Sequence, residues 1–392
     1  MSLETTVSAE RVHVAFFGRR NAGKSSLVNA VTGQKLSIVS DVPGTTTDPV
    51  KKAMELLPLG PVVIIDTPGF DDIGELGGKR VEKTNEILAK TDVAVLVVSA
   101  EEGFNGDDRA LIADFTRRGL PFIIAWNKCD IAEPPAHGKN ALAVSAKTGE
   151  GVNELKERIA SLGRSEERVI LNDLLPERAR VALVIPVDES APKGRLILPQ
   201  QLVLRELLDH HHTAFCCQPQ ELEALLGSVT PELVVTDSQA FGPVSRMVPE
   251  SVPLTSFSIL MARYRGELAG QLEGVRTLGL LNDGDRVLIS EGCTHHRQCR
   301  DIGTVKLPGW IRAYCGHEPE FAFTSGGEFP TELSGFRLIV HCGGCMLNAQ
   351  EMHSRAERAR AAGVPMVNYG VAIAAMHGIL ERSLKPIPGI AL

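Results

Sequence analysis

Two groups of residues in this chain have the types and spacing to do chemistry. Gly18-Arg-Arg-Asn-Ala-Gly-Lys-Ser25 is a glycine-rich loop carrying the lysine and hydroxyl that a phosphate site needs. Cys293-Thr-His295 and His341-Cys342-Gly-Gly-Cys345 collect thiols and imidazoles at metal-ligand spacing. The first chemistry is nucleotide binding and phosphoryl transfer, and the second is ligation of a metal or cluster. Their union points to a protein that handles a metal cofactor under the control of nucleotide state.

In a loop that follows a strand and opens a helix, backbone amides ring the β-phosphate while Lys24 reaches the β- and γ-oxygens and Ser25 ligates magnesium. Gly18, Asn21, Ala22, Gly23, Lys24, Ser25 and Ser26 form the expected phosphate-contacting set. Three partner motifs follow in order, which a chance glycine-rich turn would not produce. Asp66-Thr-Pro-Gly69 closes another predicted strand, placing Asp66 near magnesium and the Gly69 amide near the γ-phosphate. In Asn127-Lys128-Cys129-Asp130, the Asp130 carboxylate can accept from both N1–H and the 2-amino group of guanine. Adenine lacks that pair of donors, so Asp130 selects GTP over ATP. Ser145-Ala146-Lys147 closes the base pocket. GTP, GDP and Mg2+ are the expected ligands, with Lys24, Asp66 and Gly69 as the catalytic groups.

The elements that must position these residues follow from periodicity. Strands are expected at 12–17, 62–65, 93–98, 121–126 and 141–144 with helices between, a βα series that implies a mainly parallel sheet covered on both faces. After the charged stretch Arg164-Ser-Glu-Glu-Arg168, a second α/β unit has strands expected at 181–187, 213–217, 233–236 and 254–259 and no phosphate loop. Three successive histidines, His210 to His212, point in different directions from a helix and are read as a solvated helix end rather than a metal cluster. Cys216 and Cys217 fall on opposite faces of a strand, so at most one points inward. The fold class is therefore α/β: a Ras-like P-loop GTPase domain (10–162) followed by two smaller α/β domains with mainly parallel sheets, one without site chemistry and read as a dimerisation domain (170–260) and one that carries the metal-ligand motifs (263–392).

In that last unit, strands at 287–290 and 336–340 each run into a ligand-bearing loop. If they are neighbours, Cys293, Cys342 and Cys345 converge, and Gly343-Gly344 permits the tight backbone between the last two. Spacing leaves the metal open between a structural Cys3His zinc site and an iron–sulfur cluster.

Length and charge bound the rest. With 392 residues, two or three cores are expected. A net charge of −7 argues against nucleic acid or an anionic membrane as the main partner. No signal-peptide pattern and no bilayer-length apolar run occur, so a cytoplasmic protein is expected. In a reducing compartment its 8 cysteines read as thiols or ligands rather than disulfides.

Asn21 in the phosphate loop and Pro43-Gly44-Thr45-Thr46-Thr47-Asp48 in the expected first switch resemble the TrmE/Era branch of GTPases. That resemblance implies Asn21 as a ligand of K+, with helix capping as its alternative role, and Thr46 as the magnesium-sensing threonine. Thr47 stands where the branch often has arginine, which leaves the register of that loop open. Phe70 occupies the place of the water-orienting glutamine, which implies slow turnover.

Such a GTPase followed by Cys-x-His and, after residues 296–340, by His-Cys-x-x-Cys resembles the FeFe-hydrogenase maturation GTPases, the HydF family, over the whole chain. The resemblance implies a 4Fe-4S cluster on Cys293, Cys342 and Cys345 and a homodimer. It also implies a scaffold role: a di-iron subcluster, made with two radical-SAM maturases, is held and passed to apo FeFe-hydrogenase. Candidates for the fourth ligand are His295, His341, Cys299, Asp301 or an exchangeable group. Arg300 replaces the carboxylate that some members carry there. For Cys315-Gly-His317 a plain loop role is expected. Two other readings remain: a tRNA-modification GTPase of the TrmE kind, expected to carry a preceding folate-type domain and a cysteine near its C-terminus, and a regulatory GTPase with a structural zinc module.

Overall fold

Val93-Ala-Val-Leu-Val-Val98 is an unbroken apolar run whose six side chains are all fully buried, as a parallel strand covered on both faces requires. It is the centre of the first of three sheets in a computed structural model. The structure describes residues 11–33, 50–57, 59–69, 77–135, 138–163, 168–187, 196–292, 302–344 and 347–390. The chain divides into two compact units, residues 1–166 with 348–354, and residues 167–347 with 355–392.

In the first unit the strands are β1 (Val12–Gly18), β2 (Val50–Leu56), β3 (Gly60–Asp66), β4 (Val93–Ser99), β5 (Phe122–Asn127) and β6 (Ala141–Ala143). They lie in the order β2-β3-β1-β4-β5-β6. All neighbours are parallel except β2 and β3, which pair antiparallel through Ala53 and Val63. The sequence pattern missed β2, because Val50-Lys-Lys-Ala-Met-Glu-Leu56 mixes charge with apolar residues as an edge strand tolerates. Alternate residues feed two cores: Val14, Phe16 and Val95 join Leu27 and Leu155 on one face, while Ala15, Phe17 and Leu96 join Phe115 and Trp126 on the other.

The second unit holds two four-stranded sheets in which every pairing is parallel. One contains β7 (Arg180–Val184), β8 (Thr213–Cys217), β9 (Leu233–Thr236) and β10 (Leu254–Ser256), in the order β10-β9-β7-β8. The other contains β11 (Arg286–Glu291), β12 (Glu320–Ser325), β13 (Leu338–His341) and β14 (Met366–Asn368), in the order β12-β11-β13-β14. Both share one apolar cluster: Leu183 and Val235 from the first sheet and Ile289 and Val340 from the second pack with the helices Phe257–Tyr264 and Leu268–Leu278.

The strand expected at 254–259 stops at Ser256. The Ser256 hydroxyl accepts the Ile259 N–H at 3.3 Å and caps the helix Phe257–Tyr264. Cys216 is exposed, while Cys217 packs on the apolar cluster around Phe241. Glu206 accepts backbone N–H groups from Ile170, Leu171 and Asn172 at 2.8–3.1 Å, tying the start of the unit to the helix Leu198–Asp209. Among the described residues no helix is long and apolar enough to cross a membrane.

The expected solvated helix end holds only in part. His212 is buried, its Nδ1 accepts the Ala179 N–H at 3.0 Å, and Nε2 therefore carries the proton that reaches Asn172 Oδ1 at 2.9 Å. Burial, with His210 beside it, lowers the pKa of this imidazole. The native state then holds it neutral while the unfolded chain binds a proton, so its stabilisation is present above the ordinary histidine pKa of about 6.5 and is lost as pH falls. Urea unfolding should show this loss below about pH 6.5 in the wild type. His212→Asn, which keeps an acceptor but cannot titrate, should lose that part of the pH dependence. His212→Leu, which orphans the Ala179 amide, should cost about 1–3 kcal/mol.

Candidate functional site

The order of the first sheet reverses at β1, with β3 on one side and β4 on the other. Open parallel sheets bind ligands at such a switch point, outside the carboxyl ends of the strands. β1 ends at Gly18, β3 at Asp66 and β5 at Asn127, and these strands run the same way. The phosphate loop, the Asp66 motif and the base-reading motif thus emerge at one edge.

Between β1 and the helix Lys24–Thr32 the chain turns through Asn21 at φ +61° and Gly23 at φ +83°. A Cβ on Gly23 would lie 2.2 Å from Asn127 Nδ2, so only glycine fits. Gly18 meets a similar limit, since its Cβ would fall 2.6 Å from the Val97 carbonyl oxygen. Gly23 itself is the N-cap of the helix, without a side-chain cap, so Asn21 does not serve as the capping residue. Ala22 is buried, and Ser26 lies half-buried in the helix's first turn.

Lys24 Nζ donates to Asp66 Oδ1 at 2.6 Å and Ser25 Oγ donates to Asp66 Oδ2 at 2.7 Å, with Lys24 and Asp66 both buried. The ammonium, hydroxyl and carboxylate needed around a magnesium-bound phosphate therefore meet at one place. Asn127, which is 2% exposed, ties the phosphate loop to the base pocket. Its Nδ2 donates to the Ala22 carbonyl at 2.9 Å, and its Oδ1 accepts the Ala146 N–H at 3.0 Å. Ser145 Oγ donates to Asp130 Oδ1 at 2.7 Å and accepts the Thr148 N–H at 3.1 Å, which aims the guanine-reading carboxylate. Lys147 Nζ stands 4.0 Å from Asp130 Oδ2, and Lys128, at φ +66°, reaches Glu101 at 3.8 Å. Gly69 lies half-buried just beyond β3. Thr46 and Phe70 lie outside the described residues.

Sequence reasoning missed Arg19. This loop residue donates from Nη2 to the Gly103 carbonyl at 2.5 Å and pairs with the fully buried Asp108 at 3.1 Å and with Glu102 at 3.2 Å. Burial raises the Asp108 pKa, against the lowering effects of the Asn105 N–H and Arg19. The acidic residues of 101–108 were the available signal, but nothing in their spacing says that they face the phosphate loop.

The sulfur-bearing edge in the second unit is built the same way. β11 and β13 pair in parallel with Ser290 beside His341, so Gly292 and Cys342 leave the sheet together. The half-buried Cys342 sulfur accepts the Gly292 N–H at 2.9 Å and the Gly344 N–H at 3.4 Å. Both amides donate to the one sulfur, as amides do around a metal-bound thiolate. A Cβ on Gly292 would meet the Leu347 side chain at 2.8 Å, so the two loops need glycine there to approach. Among the described residues this edge offers one thiol, that of Cys342, and no group of three or more possible metal ligands. Cys293, His295, Cys299, Asp301 and Cys345 lie outside the described residues. Among the described ones, Cys315 Sγ lies 3.6 Å from the His317 carbonyl and the His317 ring turns to Asp283, an ordinary loop arrangement.

Models of two hydrogen maturase F domains match consecutive stretches of this unit, the dimerization domain at 170–266 and the tetramerization domain at 269–386. The chain belongs to the hydrogen maturase F family. A model described as a 50S ribosome-binding GTPase matches residues 13–128. Among curated relatives, the tRNA modification GTPase MnmE of Synechococcus sp. (strain JA-3-3Ab) is 38% identical over 161 residues, 38% of this chain and 34% of its own length. MnmE of Heliobacterium modesticaldum is 34% identical over 235 residues, 57% of this chain and 45% of its own. This chain thus spans less than half the length of these relatives. Era of Aquifex aeolicus, solved with GDP and AlF4−, is 23% identical with a TM-score of 0.36, covering 60% of this chain and 97% of its own.

The first unit of this hydrogen maturase F chain carries a P-loop GTPase domain. Asp130→Asn should move its preference from guanine to xanthine nucleotides, because an amide presents a donor where the carboxylate accepted. Gly23→Ala should weaken GTP binding by about 100-fold, or about 2.7 kcal/mol, by driving a side chain into Asn127. Nucleotide titration of each purified variant reads both effects.

Proposed function

We propose that the protein is a GTP-hydrolysing scaffold that holds a 4Fe-4S cluster through Cys293, Cys342 and Cys345 and delivers a di-iron subcluster precursor to apo FeFe-hydrogenase. One observation carries the reading: a guanine-nucleotide site in one unit, and in the other a parallel strand pair that sets Gly292, the residue before Cys293, against the sulfur of Cys342. The two hydrogen maturase F domain matches support it. When bound, the cluster supplies an iron with an open or weakly held fourth position, suited to a cargo that must later leave.

The chain's own residues have separable tasks in this reading. Asp130 reads guanine, Lys24 neutralises charge on the β- and γ-phosphates, and Ser25 and Thr46 hold magnesium. Asn21 lends its side chain to K+ at the phosphates. The named dimerization and tetramerization domains support self-association, with a homodimer as its smallest form. Apo FeFe-hydrogenase and two radical-SAM maturases are the partners, and neither nucleic acid nor membrane is required. The protein works in the cytoplasm. The MnmE relatives support the GTPase chemistry but match less of the chain.

Anaerobic iron and sulfide analysis should find about four of each per chain. Serine at Cys293, Cys342 or Cys345 should strip them, whereas Lys24→Ala should stop GTP hydrolysis and leave the iron in place. A colourless wild-type protein containing zinc would decide for the structural-zinc alternative instead.

GTP turnover should rise in potassium relative to sodium at equal ionic strength, and Asn21→Ala should lose the difference. Equal wild-type rates in the two salts would remove K+ from the site.

A further inference from the structure

His341 stands beside a proposed cluster ligand and has the chemistry to be one itself, yet both of its ring nitrogens are engaged. Arg355, 2% exposed, places Nη1 3.0 Å from His341 Nε2. A guanidinium carries only N–H donors, so Nε2 must accept and the single ring proton must sit on Nδ1. From there Nδ1 donates to the Cys342 carbonyl oxygen at 2.7 Å. The imidazole is itself buried, at 1% exposed.

Arg355 is held in turn from several sides. Its Nη2 donates to the Gly326 carbonyl, beyond β12, at 2.9 Å, and its guanidinium carbon lies 5.2 Å from the centre of the Phe329 ring. Phe329 also packs beside His341, with ring centres 6.4 Å apart. A buried chain thus runs from the loop after β12 through Arg355 and His341 to the backbone of Cys342. At that residue the carbonyl is held by His341 and the sulfur by the amides of Gly292 and Gly344.

We propose that Arg355 and His341 are positioning residues for the cluster-binding loop: Arg355 sets the tautomer of His341, His341 fixes the Cys342 peptide, and His341 does not ligate iron. This rests on the cluster reading above and takes one candidate off the list for the fourth ligand. Outer groups of this kind commonly change metal affinity by about 10–100-fold when removed, without themselves touching the metal.

Two measurements on the full-length protein test it. In the metal-free protein labelled with 15N-histidine, nitrogen shifts should show the His341 ring proton on Nδ1, the signal being assigned by its loss in His341→Asn. Arg355→Met should redistribute that proton between the two nitrogens. A proton on Nε2 in the wild type would overturn the proposal, and this result does not depend on any cluster. In protein reconstituted anaerobically with iron and sulfide, pulsed EPR of the reduced cluster should show the same strongly coupled nitrogen content in wild type and His341→Asn. That variant keeps a donor for the Cys342 carbonyl and should keep its iron. Arg355→Met and His341→Leu should bind iron at first but lose it to a chelator about tenfold faster. A directly coordinated histidine nitrogen present in the wild type and missing in His341→Asn would overturn the proposal, as would unchanged chelator rates in both Arg355→Met and His341→Leu. Failure of the wild type to take up iron and sulfide at all would instead sink the cluster reading, leaving the tautomer measurement to judge Arg355 and His341.

Discussion

Parallel strand pairing is the constraint on which both sites depend. Neighbouring parallel strands finish at the same edge, so residues far apart in the chain meet wherever two such strands end. Gly18 and Asp66 meet because β1 and β3 pair from Val12 with Val62 to Phe16 with Asp66. Gly292 and Cys342 meet because Ser290 pairs with His341. A slip of one residue in either pairing would turn every side chain to the opposite face and bury polar groups in the apolar clusters. Burial on both faces therefore holds the chemistry in register.

Asn127, Asp66 and Lys24 are buried at the nucleotide edge and hydrogen-bonded, which sets geometry more than it adds stability. Asn127 holds two loops with one amide, Ser145 aims Asp130, and Asp66 collects Lys24 and Ser25. Each net hydrogen bond is worth only about 1 kcal/mol, but a partner left alone in the interior costs more. Such a network has one low-energy arrangement, and a phosphate and a guanine base need that arrangement ready before they arrive. The Cys342 loop follows the same rule, with Arg355 and His341 fixing its carbonyl while two amides face its sulfur.

The all-parallel sheets of the second unit have a further consequence. Parallel strands need crossover helices, and those helices cover the faces of both sheets. Here Phe257–Tyr264 and Leu268–Leu278 lie in the apolar cluster that the two sheets share. The stretches matched as dimerization and tetramerization domains thus draw on one core. A substitution in that core, at Leu183 or Ile289, would be felt by both sheets.

Local chemistry was legible in the chain itself. Glycine, lysine and serine at the spacing of 18–25 dictate a phosphate loop because only that combination offers free amides, a cation and a hydroxyl within one turn. Long apolar runs marked β1, β3, β4, β5, β11 and β13 because burial on both faces demands them. Partnerships across the chain were not legible. Arg19 with Asp108, Glu206 with the amides of 170–172, His212 with Ala179 and Arg355 with His341 join residues separated by between 14 and 89 positions. None belongs to a local period, and a charged or imidazole side chain looks the same in sequence whether it faces water or a carbonyl. The sequence by itself marked which groups could bind a guanine nucleotide and which thiols have the spacing of metal ligands, since those depend on residue type and short spacing. Only the tertiary structure decided that His341 faces Arg355 and the Cys342 carbonyl, because that choice depends on how the helix carrying Arg355 packs beside β13.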